Sequence, residues 1–540
     1  MAAGQKQKIS KRQAPGYPRQ TLIMLFSLLA LTFLVFSGNL DNEVLVGWDD
    51  GVYLEDHHVQ NLSAESISHF FNSYYLGMYQ PIGVLTYSIN YAIHGGSAFG
   101  YQLVNLLLHL LNTFLVFVFI RRLRGNDIFA LAIAALFALP PMHVEAVSWI
   151  ATRSNAIYSA FFLLAGISYL KYLQSDNTKW IFQTALFFLL ALFSKSMAIS
   201  FPFLMLLLDY FSGRKIYRKV WLEKIPFFLL SLIFGIVTVK AAQSFGHIET
   251  LTQDYQAHDR ILLITGSLWF YLWKMLLPVN LSAIYTYPEI TDGLLPWTYY
   301  FSVLVIAAVV FWIWRSGKLK RDLIFGFGFF LVTIGPVLPF FWSRIFIVAE
   351  RYTYISYIGL FYVLGVLFEK YLDLKSLKRI LPPSWGWGIA AVWLIFLAGT
   401  TYNRTETWRN TEALLNDVVQ KDNSDHDVAA AHFYRGNLYD QEKQYERAFE
   451  HYSEAIRLNP EYVLAYNNRG IILGTMGRNR EAIEDFNIVV RLKPDYAEGW
   501  YNRGIAFYQL GKTNEACNNW LKASRLGSEP ARQVRRQYCR

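Results

Sequence analysis

Two adjacent carboxylates, Asp49 and Asp50, stand in the run Val46-Gly47-Trp48-Asp49-Asp50-Gly51, just past the first apolar segment of the chain. Neighbouring acids at the edge of a bilayer raise each other's pKa, which suits one of them to accept a proton from a hydroxyl near neutral pH. The stretch that follows, 38–101, holds seven acids and no lysine or arginine. Three cations occupy the ends of later apolar segments: Arg153, Lys195 and Arg351. Charges beside or inside a membrane are costly to keep, so they are candidates for function, and together these three could hold a phosphate. Glu350 beside Arg351 reads as a partner for it. His143 and Glu145 are two residues apart and share no helix face, so they read as supporting groups or acceptor contacts. Tyr354, three residues past Arg351, joins that group. No metal site is expected from them, nor from Asp56, His57 and His58.

These residues need elements to hold them. Of the 540 residues 54% are apolar and only 17% charged, too little charge for an all-soluble chain. Apolar segments fall near 21–37, 102–120, 128–140, 155–170, 180–194, 197–211, 226–242, 261–277, 297–314, 323–341, 353–368 and 386–402. In lipid such segments are helices, and about eleven spans are expected. Basic residues gather on alternate loops, with Arg121, Arg122 and Arg124, then Arg214, Lys215 and Arg218, then Arg315, Lys318, Lys320 and Arg321, then Lys375, Lys378 and Arg379. The opposite face has only Arg153, Lys195, Arg260, Arg344 and Arg351. This asymmetry puts the basic loops in the cytoplasm and Asp49 and Asp50 outside it. Parity then makes 261–277 re-entrant or surface-lying, or else requires a further span near 281–296, and leaves the C-terminus outside. The net charge of +10 comes mostly from the basic N-terminus, 1–20, and the basic tail, 531–540. No nucleic-acid-binding face is expected.

Beyond a linker region at 403–428, residues 429–530 repeat with a period of 34, as 429–462, 463–496 and 497–530. Arg435, Arg469 and Arg503 align, as do Gly436, Gly470 and Gly504, and Ala448, Ala482 and Ala516. This is the signature of tetratricopeptide repeats, an α-solenoid of paired helices. Pro460, Pro494 and Pro530 are read as ending each second helix. Acids and bases balance across the array, so its charge names no ligand. A disulfide between Cys517 and Cys539 is open. The fold expected is all-α: a polytopic membrane domain over 21–402, then three repeats that recruit an acceptor or partner protein.

The motifs Trp48-Asp49-Asp50, Tyr79-Gln80-Pro81-Ile82, Asn105-Leu106-Leu107-Leu108-His109, Pro141-Met142-His143-Val144-Glu145, Phe193-Ser194-Lys195 and Glu350-Arg351-Tyr352 occur in that order. The chain thereby resembles the C-type membrane glycosyltransferases, most closely the transmembrane O-mannosyltransferases with C-terminal tetratricopeptide repeats and their bacterial relatives. The resemblance implies transfer of a sugar, mannose as the first choice, from a polyprenyl-phosphate donor to a Ser or Thr hydroxyl of a protein, outside the cytoplasm and with inversion. The lipid-linked sugar is the donor substrate, and no cofactor is implied. Asp49 or Asp50 would be the base, and Arg351, Lys195 and Arg153 would hold the departing phosphate. The family's His-Pro-x-His-x-Glu begins here with Pro140, its Ser-Lys-Glu ends in Ser196, and its Tyr-Arg-Pro has Gln80. These departures define a competing reading, an inactive membrane scaffold that recruits a partner through its repeats. A transporter would need an internal repeat of the spans, which the sequence lacks. The expected location is a bacterial inner membrane with periplasmic repeats; an endoplasmic-reticulum membrane with luminal repeats has the same topology.

Overall fold

The computed structural model describes residues 16–215, 217–244, 255–288, 290–340, 346–373, 383–421 and 425–539. Residues 1–15 with their basic cluster, Arg344, the basic group at 375–379 and Arg540 lie outside the described residues. The chain divides into two compact units: one of residues 1–44 and 49–409, the other of Leu45–Trp48 with Asn410–Arg540.

Among the described residues of the first unit, the core of every apolar segment lies on a helix, and 323–341 is helical as far as Val337. Seven helices among the described residues are long and apolar enough to cross a membrane: Arg19–Asp41, Ala98–Arg124, Ile150–Ser175, Val220–Ser244, Trp297–Arg315, Glu350–Tyr371 and Trp385–Thr407. The bent pair Asp127–Ala138 and Pro141–Ser148 makes an eighth if it counts as one span. Lys179–Ser194 and Ser196–Ser212 are apolar but shorter. These elements are compatible with the expected count of about eleven spans without fixing it. Ala257–Leu276, the segment whose parity was in question, is one continuous helix outside the seven, started by a reciprocal cap between Gln256 and Asp259.

Small residues and long-range charges knit this unit. Gly326 and Gly359 bring two helices into backbone contact, where a Cβ on Gly359 would lie 2.3 Å from the Gly326 carbonyl oxygen. At the basic end, Arg124 donates to Asp322 at 2.6 Å and to Glu369 at 2.5 Å, tying three helices together. The 38–101 stretch is itself largely helical, with short helices at Asp49–Leu54, His57–Gln60 and Ala64–Asn72 and a longer one at Pro81–His94. Pro81 starts that last helix because a proline in the first turn loses no hydrogen bond.

The second unit is a helical array. The pairs are Asp425–Gln441 with Tyr445–Leu458, Val463–Thr475 with Asn479–Leu492, and Ala497–Gln509 with Thr513–Arg525. Each repeat glycine meets the aromatic residue of its own partner helix: Gly436 meets Tyr452, Gly470 meets Phe486, and Gly504 meets Trp520. Pro460 and Pro494 follow their helices as expected, but Pro530 sits in the first turn of a further helix, Glu529–Tyr538. The serine before it, Ser528, caps that helix, so proline here starts an element instead of ending one. The Cys517–Cys539 disulfide forms, with Cα atoms 5.6 Å apart, and pins this terminal helix to the third repeat.

Candidate functional site

Asp49 and Asp50 form the first turn of the helix Asp49–Leu54, where the unpaired backbone amides favour negative charge. The two have different surroundings. Asp50 is fully buried and accepts a 2.8 Å hydrogen bond from the Ala151 amide. It also acts electrostatically on Arg153 and Tyr87. Asp49 is half-exposed and within electrostatic reach of Arg351. Tyr53, on the same short helix, is buried beneath both acids, and burial pushes its phenol well above the usual range. Gln80 donates a short hydrogen bond to Tyr53. At this buried position the neutral amide needs no counter-charge, whereas an arginine would.

Arg351 is held from two sides. Its guanidinium makes a short ion pair with Glu145, and its backbone amide donates to the other Glu145 oxygen at 2.7 Å. The guanidinium also lies over the rings of Trp149, at 5.3 Å, and Tyr352, at 5.0 Å. Glu145 therefore fixes both the backbone and the side chain of Arg351, and the side chain stays 15% exposed. Glu350 is turned elsewhere. It accepts from Arg404 at 2.6 and 3.1 Å and from the Tyr285 hydroxyl at 3.1 Å. The pairing expected between the sequence neighbours Glu350 and Arg351 is thus replaced by two longer-range pairs, Glu350–Arg404 and Arg351–Glu145. Adjacent residues in a 3-10 turn such as Glu350–Tyr352 point about 120° apart, so each meets a different partner.

Lys195 ends the helix Lys179–Ser194 and donates to Asn155 at 2.7 Å while remaining half-exposed. Ser196, where the family has glutamate, opens a short 3-10 turn at Ser196–Ser200. Arg153 differs from the other two cations. It is fully buried, and its guanidinium donates to Asn105 at 2.7 Å, to Asn90 at 2.9 Å, and to the carbonyls of Tyr101 and Thr86 at 3.0 and 3.3 Å. Tyr87 and Tyr101 stack against it. The structure thus places Arg153 as an internal tie between helices and an electrostatic neighbour of Asp50, and not at an open surface as a phosphate ligand would be.

His143 and Tyr354 also lie inside the packing. His143 is fully buried with Nδ1 at 2.9 Å from the Phe137 carbonyl. The Tyr354 hydroxyl lies 2.9 Å from His109 Nδ1 and accepts from Asn112 at 3.2 Å. Both side chains are buried and hydrogen-bonded within the helix packing. Pro140 precedes the 3-10 turn Pro141–His143 and leads into this packing. Among the described residues no group of three His, Cys, Asp or Glu could hold a metal; His58 stacks on His69, and His57 lies against His58 with the rings tilted by 40°.

Arg404 is the residue that sequence reasoning missed. It occurs in Asn403-Arg404-Thr405, which reads as a glycosylation sequon, yet Arg404 and Thr405 are buried in the helix Pro383–Thr407. A lone base in the last turn of an apolar helix was the signal available.

Residues 80–241 match the family described as dolichyl-phosphate-mannose-protein mannosyltransferase, and residues 436–477 and 475–511 match the tetratricopeptide repeat. The mannosyltransferase match contains Glu145, Arg153 and Lys195. The protein O-mannosyl-transferase Tmtc1 of Drosophila melanogaster is 36% identical over 27% of this chain and 17% of its own length. The mouse protein O-mannosyl-transferase TMTC3 is 22% identical over 75% of this chain and 47% of its own. The Caenorhabditis elegans protein O-mannosyl-transferase F38B6.6 is 24% identical over 71% of this chain and 54% of its own. The matches span about half or less of the length of these relatives. Among solved structures, the second tetratricopeptide domain of human RPAP3 is 28% identical, covering 22% of this chain and 98% of that one with a TM-score of 0.21. The chain therefore joins a mannosyltransferase-like membrane segment to tetratricopeptide repeats, as the motif order implied.

Proposed function

We propose that this chain is a membrane glycosyltransferase that moves mannose from a polyprenyl-phosphate donor to a Ser or Thr hydroxyl of a protein on the extracytoplasmic face. One observation carries the reading: Glu145 holds a partly exposed arginine, Arg351, by both its backbone amide and its guanidinium, and the half-exposed carboxylate Asp49 is among its electrostatic neighbours. Asp49 takes the acceptor proton, because Asp50 is buried and engaged by the Ala151 amide. The acceptor oxygen attacks the anomeric carbon while the bond to the lipid phosphate breaks on the opposite face, so the configuration inverts. Charge grows on the leaving phosphate, and Arg351 and Lys195, both partly exposed, stabilise it. Arg153 and Asp50 hold the frame behind Asp49. The Cys517–Cys539 disulfide supports an oxidising compartment for the repeats, a periplasm or an endoplasmic-reticulum lumen.

The test is transfer of labelled mannose from polyprenyl-phosphate mannose by the purified chain. Asp49→Asn is expected to lower the rate by about 10²–10⁴-fold with the fold intact. Equal rates for Asp49→Asn and wild type would overturn the assignment of the base. No transfer from any polyprenyl-phosphate sugar would favour the scaffold reading, to which the neutral Gln80 and Ser196 already lend a concrete basis.

A further inference from the structure

Arg351 and Lys195, the two partly exposed cations of the candidate site, are held in different ways. Arg351 is tied by a carboxylate, Glu145. Lys195 is tied by an amide: its Nζ donates to Asn155 Oδ1 at 2.7 Å. Asn155 lies fully buried in the first turn of the helix Arg153–Ser175. Among the described residues its Nδ2 meets no hydrogen-bond partner, and a buried donor left in that state is costly. The side chain therefore gains its polar contact through Oδ1, the atom that meets Lys195. The pair is firmly seated. Gly83, in the first turn of the helix Pro81–His94, packs where a Cβ would lie 3.3 Å from the Ser154 side chain and 3.7 Å from the Ser194 carbonyl oxygen. The starts of two helices and the end of a third thus meet beside Asn155 and Lys195. Close to this polar pair the surroundings are apolar. Phe193, two residues before Lys195, meets Phe71 at 5.5 Å and Phe234 at 5.2 Å between ring centres, edge to face in both cases. Leu232, Ile233 and Ile236, around Phe234 on the helix Ile225–Ser244, are exposed, as lipid-facing residues of a span are.

We propose that Asn155 is a positioning residue, which aims the Lys195 ammonium at the phosphate of a polyprenyl phosphate while taking nothing from its charge. The identity of the anion rests on the transferase reading. A carboxylate at this position would hold the ammonium as firmly, but it would remove one unit of positive charge from the place where the phosphate sits. The amide orients the ammonium and leaves that charge to act on the substrate. The rings of Phe71, Phe193 and Phe234 offer an apolar wall to the hydrocarbon next to the phosphate, which favours a lipid-borne phosphate over a free one. The lipid phosphate carries one negative charge while it is esterified to the sugar and up to two once the sugar has left. A cation kept at full charge therefore acts most strongly as the bond to the sugar breaks.

The test is equilibrium binding to the full chain in detergent, with no transfer required. The probes are geranyl phosphate, a dianion at about pH 8, its methyl ester, a monoanion, and inorganic phosphate. Asn155→Asp keeps the shape and the acceptor of the side chain and adds one negative charge. It is expected to weaken geranyl phosphate about tenfold and the methyl ester only about threefold, because an electrostatic loss scales with the charge of the probe. A purely structural role for Asn155 would weaken both esters alike. Asn155→Ala is a second variant that adds no charge; it frees the ammonium to turn away and is expected to weaken geranyl phosphate about threefold or more. No binding by wild type, unchanged binding in either variant, or equal losses for the two esters in Asn155→Asp would overturn the proposal. Inorganic phosphate bound as tightly as geranyl phosphate would overturn the assignment to a lipid. Binding that follows the expected pattern in a chain that transfers no sugar would leave this inference standing and remove the transferase reading alone.

Discussion

Removing Arg404 while keeping Glu350 tests the ion chain behind the candidate site. Glu350 is 0% exposed in its side chain and Arg404 only 7%. Arg404 donates two hydrogen bonds to that carboxylate, beside the one from the Tyr285 hydroxyl, and a further one, at 3.0 Å, to the Leu281 carbonyl. Arg404→Met would leave a buried charge with the Tyr285 hydroxyl as its remaining partner here, at a cost of about 3–5 kcal/mol. Glu350→Gln in the same chain removes the stranded charge, so the double variant is expected to lose only about 1–2 kcal/mol. Adding Glu350→Gln to Arg404→Met is thus expected to restore about 2–3 kcal/mol of the loss, where an uncoupled second substitution would restore none. The assay is reversible unfolding in mixed micelles, read by the near-ultraviolet signal of the stacked pair Trp149 and Trp408, which lies beside this region at 5.7 Å between rings. Additive single and double effects, within about 0.5 kcal/mol, would refute the claim that Glu350 and Arg404 are a coupled pair.

Three further outcomes are expected. Cys517→Ser opens a loop whose ends are 22 residues apart and should cost the repeat unit up to about 3 kcal/mol, with a reducing agent reproducing the loss in wild type; no change on reduction would show the bridge to be idle. His432, 3.0 Å from His451, is pushed down to about 4 by burial and by that neighbour, while the unfolded chain titrates near the ordinary 6.5. The unfolded state therefore takes up the proton first, so stability is flat above pH 6.5 and falls from there to about pH 4, by about 1–2 kcal/mol once partial exposure is discounted. Hydrogen exchange in the first repeat should quicken over that window, and His432→Phe should flatten the profile. Gly359→Ala should cost about 2–3 kcal/mol because its methyl meets backbone, whereas Gly399→Ala, with nothing within 4 Å, should be nearly neutral; equal effects would discard the close helix contact.

Much of the scaffold was legible because its signals are one-dimensional. Long apolar runs have only one backbone solution in lipid, and a 34-residue period with glycine facing an aromatic has essentially one packing. The 38–101 stretch was harder: its helix Pro81–His94 has 14 residues and is too short to announce itself as a span. Partner choice was hardest. Glu350 and Arg351 are neighbours in sequence, yet their partners lie 54 and 206 residues away, and no local pattern encodes that. Arg153 was read as a ligand from its position at a helix end, but the asparagines and carbonyls that surround it come from other helices. Of the two acids, burial and the bond from the Ala151 amide separate Asp50 from Asp49, and neither can be read from the sequence.

The bond from Arg124 to Asp322 crosses 198 residues, and that to Glu369 crosses 245. During synthesis the helix ending in Arg124 enters the membrane long before either acid exists. Until then its guanidinium must stay hydrated at the bilayer edge, which its place in the last turn of that helix permits. This tie consequently cannot form helix by helix as the chain is made. The basic end closes only when the helices bearing Asp322 and Glu369 have been inserted, so the tie records that the later helices are in place.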